Sequence, residues 1–191
     1  MRRKTAEETR RHVLGVATGL FYRNGVRAVG MDQIIKAAEV GNATVYRQFP
    51  TKDDLAAAYV QECADAWFAR MRAVTDPVDD PAGKLRAVFR ETAEGVARPT
   101  YRGCPMLNTH AEFPADDHPA HIVATVHKRQ VRDWFRDLAA AASARDPEML
   151  ADQLLLVLNG VLATASVLGP DGTATVGETI ASQLIATSAS R

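Results

Sequence analysis

Apolar residues along this chain recur every three or four positions, the period of a helix with one buried face. Val13, Val16, Ala17, Leu20 and Phe21 mark the first such face. Thr5-Ala6-Glu7-Glu8 predicts its start. The Thr5 hydroxyl can accept from the backbone N–H of Glu8 while the Glu8 carboxylate reaches back, a capping box. Asn24-Gly25 predicts its stop, since Gly accepts the conformation a helix end needs. Ile34, Ile35 and Ala38 predict a short second helix beginning near Gly30 or Met31, and a third follows from Asn42 to Phe49. Thr51 caps a fourth, which carries Leu55, Tyr59, Cys63 and Trp67 to about Val74. The stretch from Thr75 to Pro81 is a polar, proline-bearing connector. Asp80-Pro81 then reopens a helix with Asp as N-cap and Pro in the first turn, and Asp146-Pro147 repeats the device. Between them the pattern predicts a loop from Arg98 to Pro105, a short helix from Met106 to Phe113, a break from Pro114 to Pro119, and a long helix from Pro119 to about Ser143. The helix from Pro147 to Leu168 is apolar around most of its circumference. Thr175-Val176-Gly177-Glu178 reads as a second capping box, opening a last helix with Ile180, Leu184 and Ile185. The expectation is an all-α chain of about nine helices. Its domains are a helix-turn-helix unit over 1–52, a linking helix over 51–74, and a larger helical unit over 75–191.

Charge sharpens that division. The 191 residues carry no formal net charge, but residues 1–52 hold ten Lys/Arg against four Asp/Glu, and the remainder is acidic. A basic first unit joined to an acidic second one points the first toward a polyanion. Cys63 and Cys104 are far apart and form no metal-ligand spacing, which fits a reduced compartment without a disulfide framework. Gln153 to Pro170 is eighteen residues without a charge. That meets the crude length test for a membrane span. Its Gln153, Asn159, Gly160, Thr164 and Ser166 favour a doubly buried helix of a soluble protein instead. No apolar core follows the basic Met1-Arg2-Arg3-Lys4, so the expected location is cytoplasmic, with no membrane partner.

Candidate chemistry concentrates between Glu39 and Leu55. Glu39-Val40-Gly41 is the short turn of a helix-turn-helix, and the brief helix after it carries polar and basic groups. Val40 and Val45 would seat that helix, leaving Asn42, Thr44, Arg47 and Gln48 pointing outward. Arg pairs bidentately with guanine and Gln with adenine. Hydroxyls of Thr44 and Tyr46 can donate to phosphate oxygens, which sets register without reading sequence. Lys52 stands in the first turn of the next helix, where backbone N–H groups also favour phosphate. Phe49 is expected in the core. Arg2, Arg3 and Lys4 could reach a neighbouring groove or remain a solvated tail.

The run from Ile34 to Leu55 resembles the signature of the TetR family of bacterial transcriptional regulators. Ile34, Ala38, Val40, Thr44, Tyr46, Phe49, Lys52 and Leu55 match in one register. Phe21 and Gly25 fall where that family ends its first helix. The chain departs from the pattern at Glu39 (a turn glycine in the family), Gly41 (a capping serine), Ala43 (a helix glycine), Gln48 (a histidine) and Gly30 (a threonine). We therefore expect Glu39 to face away from DNA and Gly41 to take over the turn, with Asn42 as cap. The resemblance implies that Thr44, Tyr46 and Lys52 contact phosphate. It also implies that residues 75–191 form a ligand-binding and dimerisation domain, that the partner is a double-stranded operator, and that a small-molecule effector controls release.

The second unit's residues agree with pairing. Leu154, Leu155, Val157, Leu158, Val161 and Leu162 are more apolar surface than one face needs, and Gly160, Ala163, Ala165 and Ser166 would let a second copy approach closely in a four-helix bundle. The segment from Tyr101 to Pro114 resembles one found in a subset of the same family, beside the effector cavity. Candidate cavity residues are Phe89, Met106, His110, Phe113, His127 and Trp134. His118, His121 and His127 lack the further Cys or carboxylate that would complete a metal site, and no cofactor motif is present. Cys104 offers an alternative, a thiol-based redox regulator, if a helix N-terminus lowers its pKa. A small-molecule-modifying enzyme on a helical scaffold is a further alternative. No nucleophile elbow, phosphate loop or HExxH sequence supports it.

Overall fold

The computed structural model describes residues 5–189, so the Arg2-Arg3-Lys4 arm lies outside the described residues. Among these, nine helices form and no β-strand. They are α1 (Ala6–Asn24), α2 (Met31–Ala38), α3 (Asn42–Gln48), α4 (Lys52–Thr75), α5 (Pro81–Val96), α6 (Pro105–Glu112), α7 (Pro119–Ala141), α8 (Pro147–Leu168) and α9 (Thr173–Ser188). One isolated antiparallel bridge joins Ala144 and Ala189.

Four helix starts follow from local chemistry. The Thr5 and Glu8 side chains complete the capping box of α1. Asp80 accepts from the N–H groups of Ala82 and Gly83 to open α5, and Asp146 accepts from that of Met149 to open α8. Thr51 and Asp54 satisfy each other's backbone N–H groups before α4, the carboxylate taking one at 3.1 Å and the hydroxyl the other at 3.0 Å. Gly25 ends α1 at φ 87°, where a side chain would be strained. Residues 175–178 do not open α9. That helix begins at Thr173 behind Gly172, which offers no side-chain cap, and position 177 is a packing position. Gly177 is buried, and a Cβ there would stand 2.1 Å from Val161 Cγ2 on α8.

Contacts divide the chain into two compact units otherwise than at the 75–81 connector. The first contains 1–65 and Pro105–Val126; the second contains Ala66–Cys104 and His127–Arg191. Both α4 and α7 therefore begin in one unit and end in the other. The first unit buries Val13, Ala17, Phe21, Ile34, Val45, Phe49, Leu55 and Tyr59. Phe21 and Tyr59 meet edge to face with centroids 5.5 Å apart. Burial, the largest cause, pushes the Tyr59 hydroxyl well above its ordinary pKa, so it stays protonated.

The second unit has its own core. Met71, Leu85, Phe89, Val131, Phe135, Leu150, Leu154, Leu158 and Ile185 pack as one cluster. Arg132 joins α7 to α8, 2.7 Å from Asp152 and 2.6 Å from Glu148. Hydrogen bonding from Arg132 holds the Asp152 carboxyl below its usual range. The α8 helix is long and apolar enough to cross a membrane, yet it is not doubly buried as expected. Leu154 and Leu158 are in the core, whereas Leu156, Val167 and Leu168 are 72%, 80% and 77% exposed.

The Gly177 contact makes a prediction. Gly177→Ala should destabilise the fold by ~1–3 kcal/mol, the cost of overpacking a filled core. Adding Val161→Ala should recover part of that loss, because it removes the methyl that clashes. Denaturant midpoints of the two single variants and the double variant check it; simple additivity would contradict it.

Candidate nucleic-acid interface

A helix of seven residues does not hold its shape in water by itself, so α3 depends on what it is packed against. Val45 and Phe49 are fully buried in the first unit, and Val40 is half-buried. That fixes the opposite face. Asn42, Ala43, Tyr46 and Arg47 are exposed, and Thr44 and Gln48 are half-buried. Tyr46 leaves 44% of its surface open, uncommon for an aromatic on a short helix with a core below it. Arg47 has no polar partner among the described residues.

The turn before α3 departs from expectation. Gly41 does not take the left-handed position, and Asn42 does not cap. Glu39 itself ends α2 at φ 53° and ψ 40°, in the left-handed region. Gly41 is extended at φ −63° and precedes α3 without a side-chain cap, and Asn42 is already the first helical residue. The reason is geometric: a tight helix-turn-helix needs its left-handed residue directly after α2, whatever the side chain there. Gly30 likewise precedes α2 with no side-chain cap.

Two uncapped short helices are held by cross-links from their neighbours, which sequence reading missed. Arg10 on α1 donates from Nη1 to the Gln48 carbonyl at the end of α3. Its guanidinium lies 4.1 Å from the centroid of the Phe49 ring. The His12 ring nitrogen Nε2 lies 2.9 Å from the Ala38 carbonyl at the end of α2. Carbonyls left over at the ends of α2 and α3 thus meet two nitrogen-bearing side chains that stand two positions apart on α1. From α6, Glu112 accepts the N–H groups of Val26 and Arg27. These contacts span 26 to 86 positions of sequence, and no local pattern announces them.

Lys52 is half-buried, with its ammonium donating to the Arg27 carbonyl at 3.2 Å. An ammonium has three donors, so two remain for a phosphate. The first turn of α4 also carries Asp53 and Asp54, and Asp54 takes the Thr51 N–H. Backbone donors there are less available than the sequence suggested, and Lys52 is the positive group left.

The candidate cavity residues fall in both units. His127 and Trp134 join Trp67 and Phe68 in an aromatic cluster in the second, with centroids 5.3 to 6.1 Å apart across those contacts. Phe89 stacks on Phe135, which stacks on Trp134. In the first unit, Met106 is buried, His110 stacks on His121 at 4.2 Å, and Phe113 stacks on His118 at 4.0 Å. An open cleft of about 410 Å³ beside Arg145, Met149 and Leu184 includes none of the six. Cys104 is 7% exposed, which shields its thiol from a bulk oxidant.

A three-helix head with an exposed, cross-linked third helix has the form of a helix-turn-helix DNA-binding unit. Residues 13–59 match the family model described as bacterial regulatory proteins, tetR family. The transcriptional regulator AcuR of Cereibacter sphaeroides is 32% identical over 158 residues, covering 77% of this chain and 72% of that one. A TetR-family regulator of known structure from Streptomyces coelicolor is 30% identical with a TM-score of 0.91, covering 96% of this chain and 97% of that one. A structure from Streptomyces avermitilis, described as a TetR-type transcriptional regulator, is 32% identical with a TM-score of 0.82, covering 94% of this chain and 97% of that one. The chain belongs to the TetR family of transcriptional regulators.

Two outcomes are expected of this site. Glu39→Gly should stabilise the fold by ~1 kcal/mol, since it relieves a left-handed side chain, and a denaturant midpoint at or below wild type would contradict it. Arg47→Ala should relax base preference in duplexes selected from random DNA; an unchanged preference would remove Arg47 from the base-reading set.

Proposed function

We propose that this regulator is a homodimeric, effector-controlled repressor of the cytoplasm that binds a near-palindromic operator. The single observation that carries the DNA half is the exposure of Tyr46 and Arg47 on a helix whose other face is sealed. Thr44, Tyr46 and Lys52 serve phosphates; Asn42, Arg47 and Gln48 serve base edges. What supports pairing is the unpartnered apolar stripe of the second unit. Met149, Leu156 and Val167 repeat along α8 at helical spacing, with Gly160 and Ala163 between them, and Val176 and Ile180 lie one turn apart on α9. Such a stripe in water is unfavourable by about 25 cal/mol for each Å² left uncovered, and a second copy would cover it in a four-helix bundle.

The two-fold arrangement gives the mechanism. Two recognition helices reach successive major grooves only when they stand about one DNA turn apart, roughly 34 Å. An effector that binds better to a dimer with another spacing shifts the population away from DNA. The lever is α4, which starts at Lys52 in the head and ends in the second unit. We assign effector contact to the second unit, where Trp67, Phe68, His127 and Trp134 form an apolar aromatic cluster.

Operator affinity should fall steeply with salt, because neutralised phosphates release counterions, and a flat slope in a fluorescence titration would contradict the reading. Tyr46→Phe should weaken every duplex alike. Leu156→Glu should yield monomers by analytical ultracentrifugation, with operator binding lost in parallel; a dimer of unchanged stability would contradict the assigned face.

A further inference from the structure

The peptide unit at residue 27 is gripped from two sides. Glu112, the last residue of α6, accepts the Val26 N–H at Oε1 (3.1 Å) and the Arg27 N–H at Oε2 (2.7 Å). The carbonyl of Arg27 accepts from Lys52 Nζ. The Arg27 guanidinium lies 5.3 Å from the centroid of the Phe113 ring, the residue after Glu112. Residues 25–30 form the turn that delivers the chain into α2. That turn follows Gly25 at φ 87°, where a Cβ would stand 3.2 Å from Glu112 Oε1, and it ends at Gly30, which has no capping side chain. Within the turn, the buried Val26 and Val29 and a bond from the Val29 N–H to the Val26 carbonyl at 3.4 Å hold the chain locally. The Glu112 carboxylate adds a tie from outside the turn by meeting two successive N–H groups, and such charge-assisted bonds are roughly twice as strong as neutral ones.

We infer that Glu112 is a positioning residue for DNA binding. Its carboxylate sets the entry of α2, and with it the bearing of α3 and the anchor of Lys52. The inference rests on the reading of α3 and Lys52 as the DNA face. It also assigns a purpose to the placement of 105–126 in the first unit.

Sign separates this role from simple electrostatics. If Glu112 acted only as a negative charge near a polyanion, neutralising it would tighten DNA binding. As a clamp, its loss must weaken it. Glu112→Gln keeps the shape but presents an NH₂ to one of the two N–H groups, so one bond is lost and one donor is left opposed. The probe is a duplex that the wild-type chain selects from random DNA. Glu112→Gln is expected to bind it about tenfold more weakly or worse, with faster exchange at the Val26 and Arg27 amides. Equal or tighter binding overturns the proposal, as does weaker binding with wild-type exchange at the Val26 and Arg27 amides. Should Glu112→Gln fail to fold, Glu112→Asp keeps the charge, shortens the reach by one methylene, and is expected to weaken binding likewise; wild-type affinity there overturns the proposal. A wild-type chain that selects no duplex overturns the DNA reading itself, and the two failures are thereby distinct.

Discussion

Two helices of eight and seven residues, each preceded by a glycine that cannot cap, must be held in a fixed relation to a third. Helices this short are marginal in isolation, so their geometry is tertiary in origin. Buried Val45 and Phe49 provide the seat, and Arg10, His12 and Glu112 provide the ties. Each tie ends on a backbone group rather than on another side chain. That leaves the outward residues of α3 free of structural duty, and Tyr46 and Arg47 are accordingly open to solvent. A head built this way can vary its outward residues without losing its fold.

The same logic organises the second unit with apolar surface in place of polar ties. Its core occupies one face of α8, through Leu150, Leu154 and Leu158, and α9 closes on it where Gly177 admits Val161. The opposite face of α8 keeps Leu156, Val167 and Leu168 in water. One helix thus supports the subunit's interior and the proposed pairing surface together. Both α4 and α7 run from one unit into the other.

Much of this was legible in the sequence because it is local. The capping pairs Thr5 with Glu8, Asp80 with Pro81 and Asp146 with Pro147 each act within four residues, and all three start helices where expected. The recognition helix was legible from its motif, and Phe49 is the core residue it was expected to be. What was illegible acts at a distance or through competition. Glu39 adopts the left-handed turn although Gly41 is the better suited residue, because the turn's position is set by the end of α2 and not by side-chain preference. Thr175 and Glu178 have the spacing of a capping box, but α9 already begins at Thr173, and Gly177 between them packs against α8. Exposure on α8 could not be read from periodicity, since a helix apolar all round looks the same whether a neighbour or a second copy covers it. Glu112 gave no sign of its role, its partners lying more than eighty positions away.

The central claim is that the outward face of α3 lies against duplex DNA. Photocrosslinking from a benzophenone side chain placed at position 46 tests it most directly, with position 176 on α9 as the comparison. The account predicts crosslinks to a bound duplex from position 46 and none from position 176. A duplex that stays bound yet crosslinks from neither, or from position 176 alone, would contradict it.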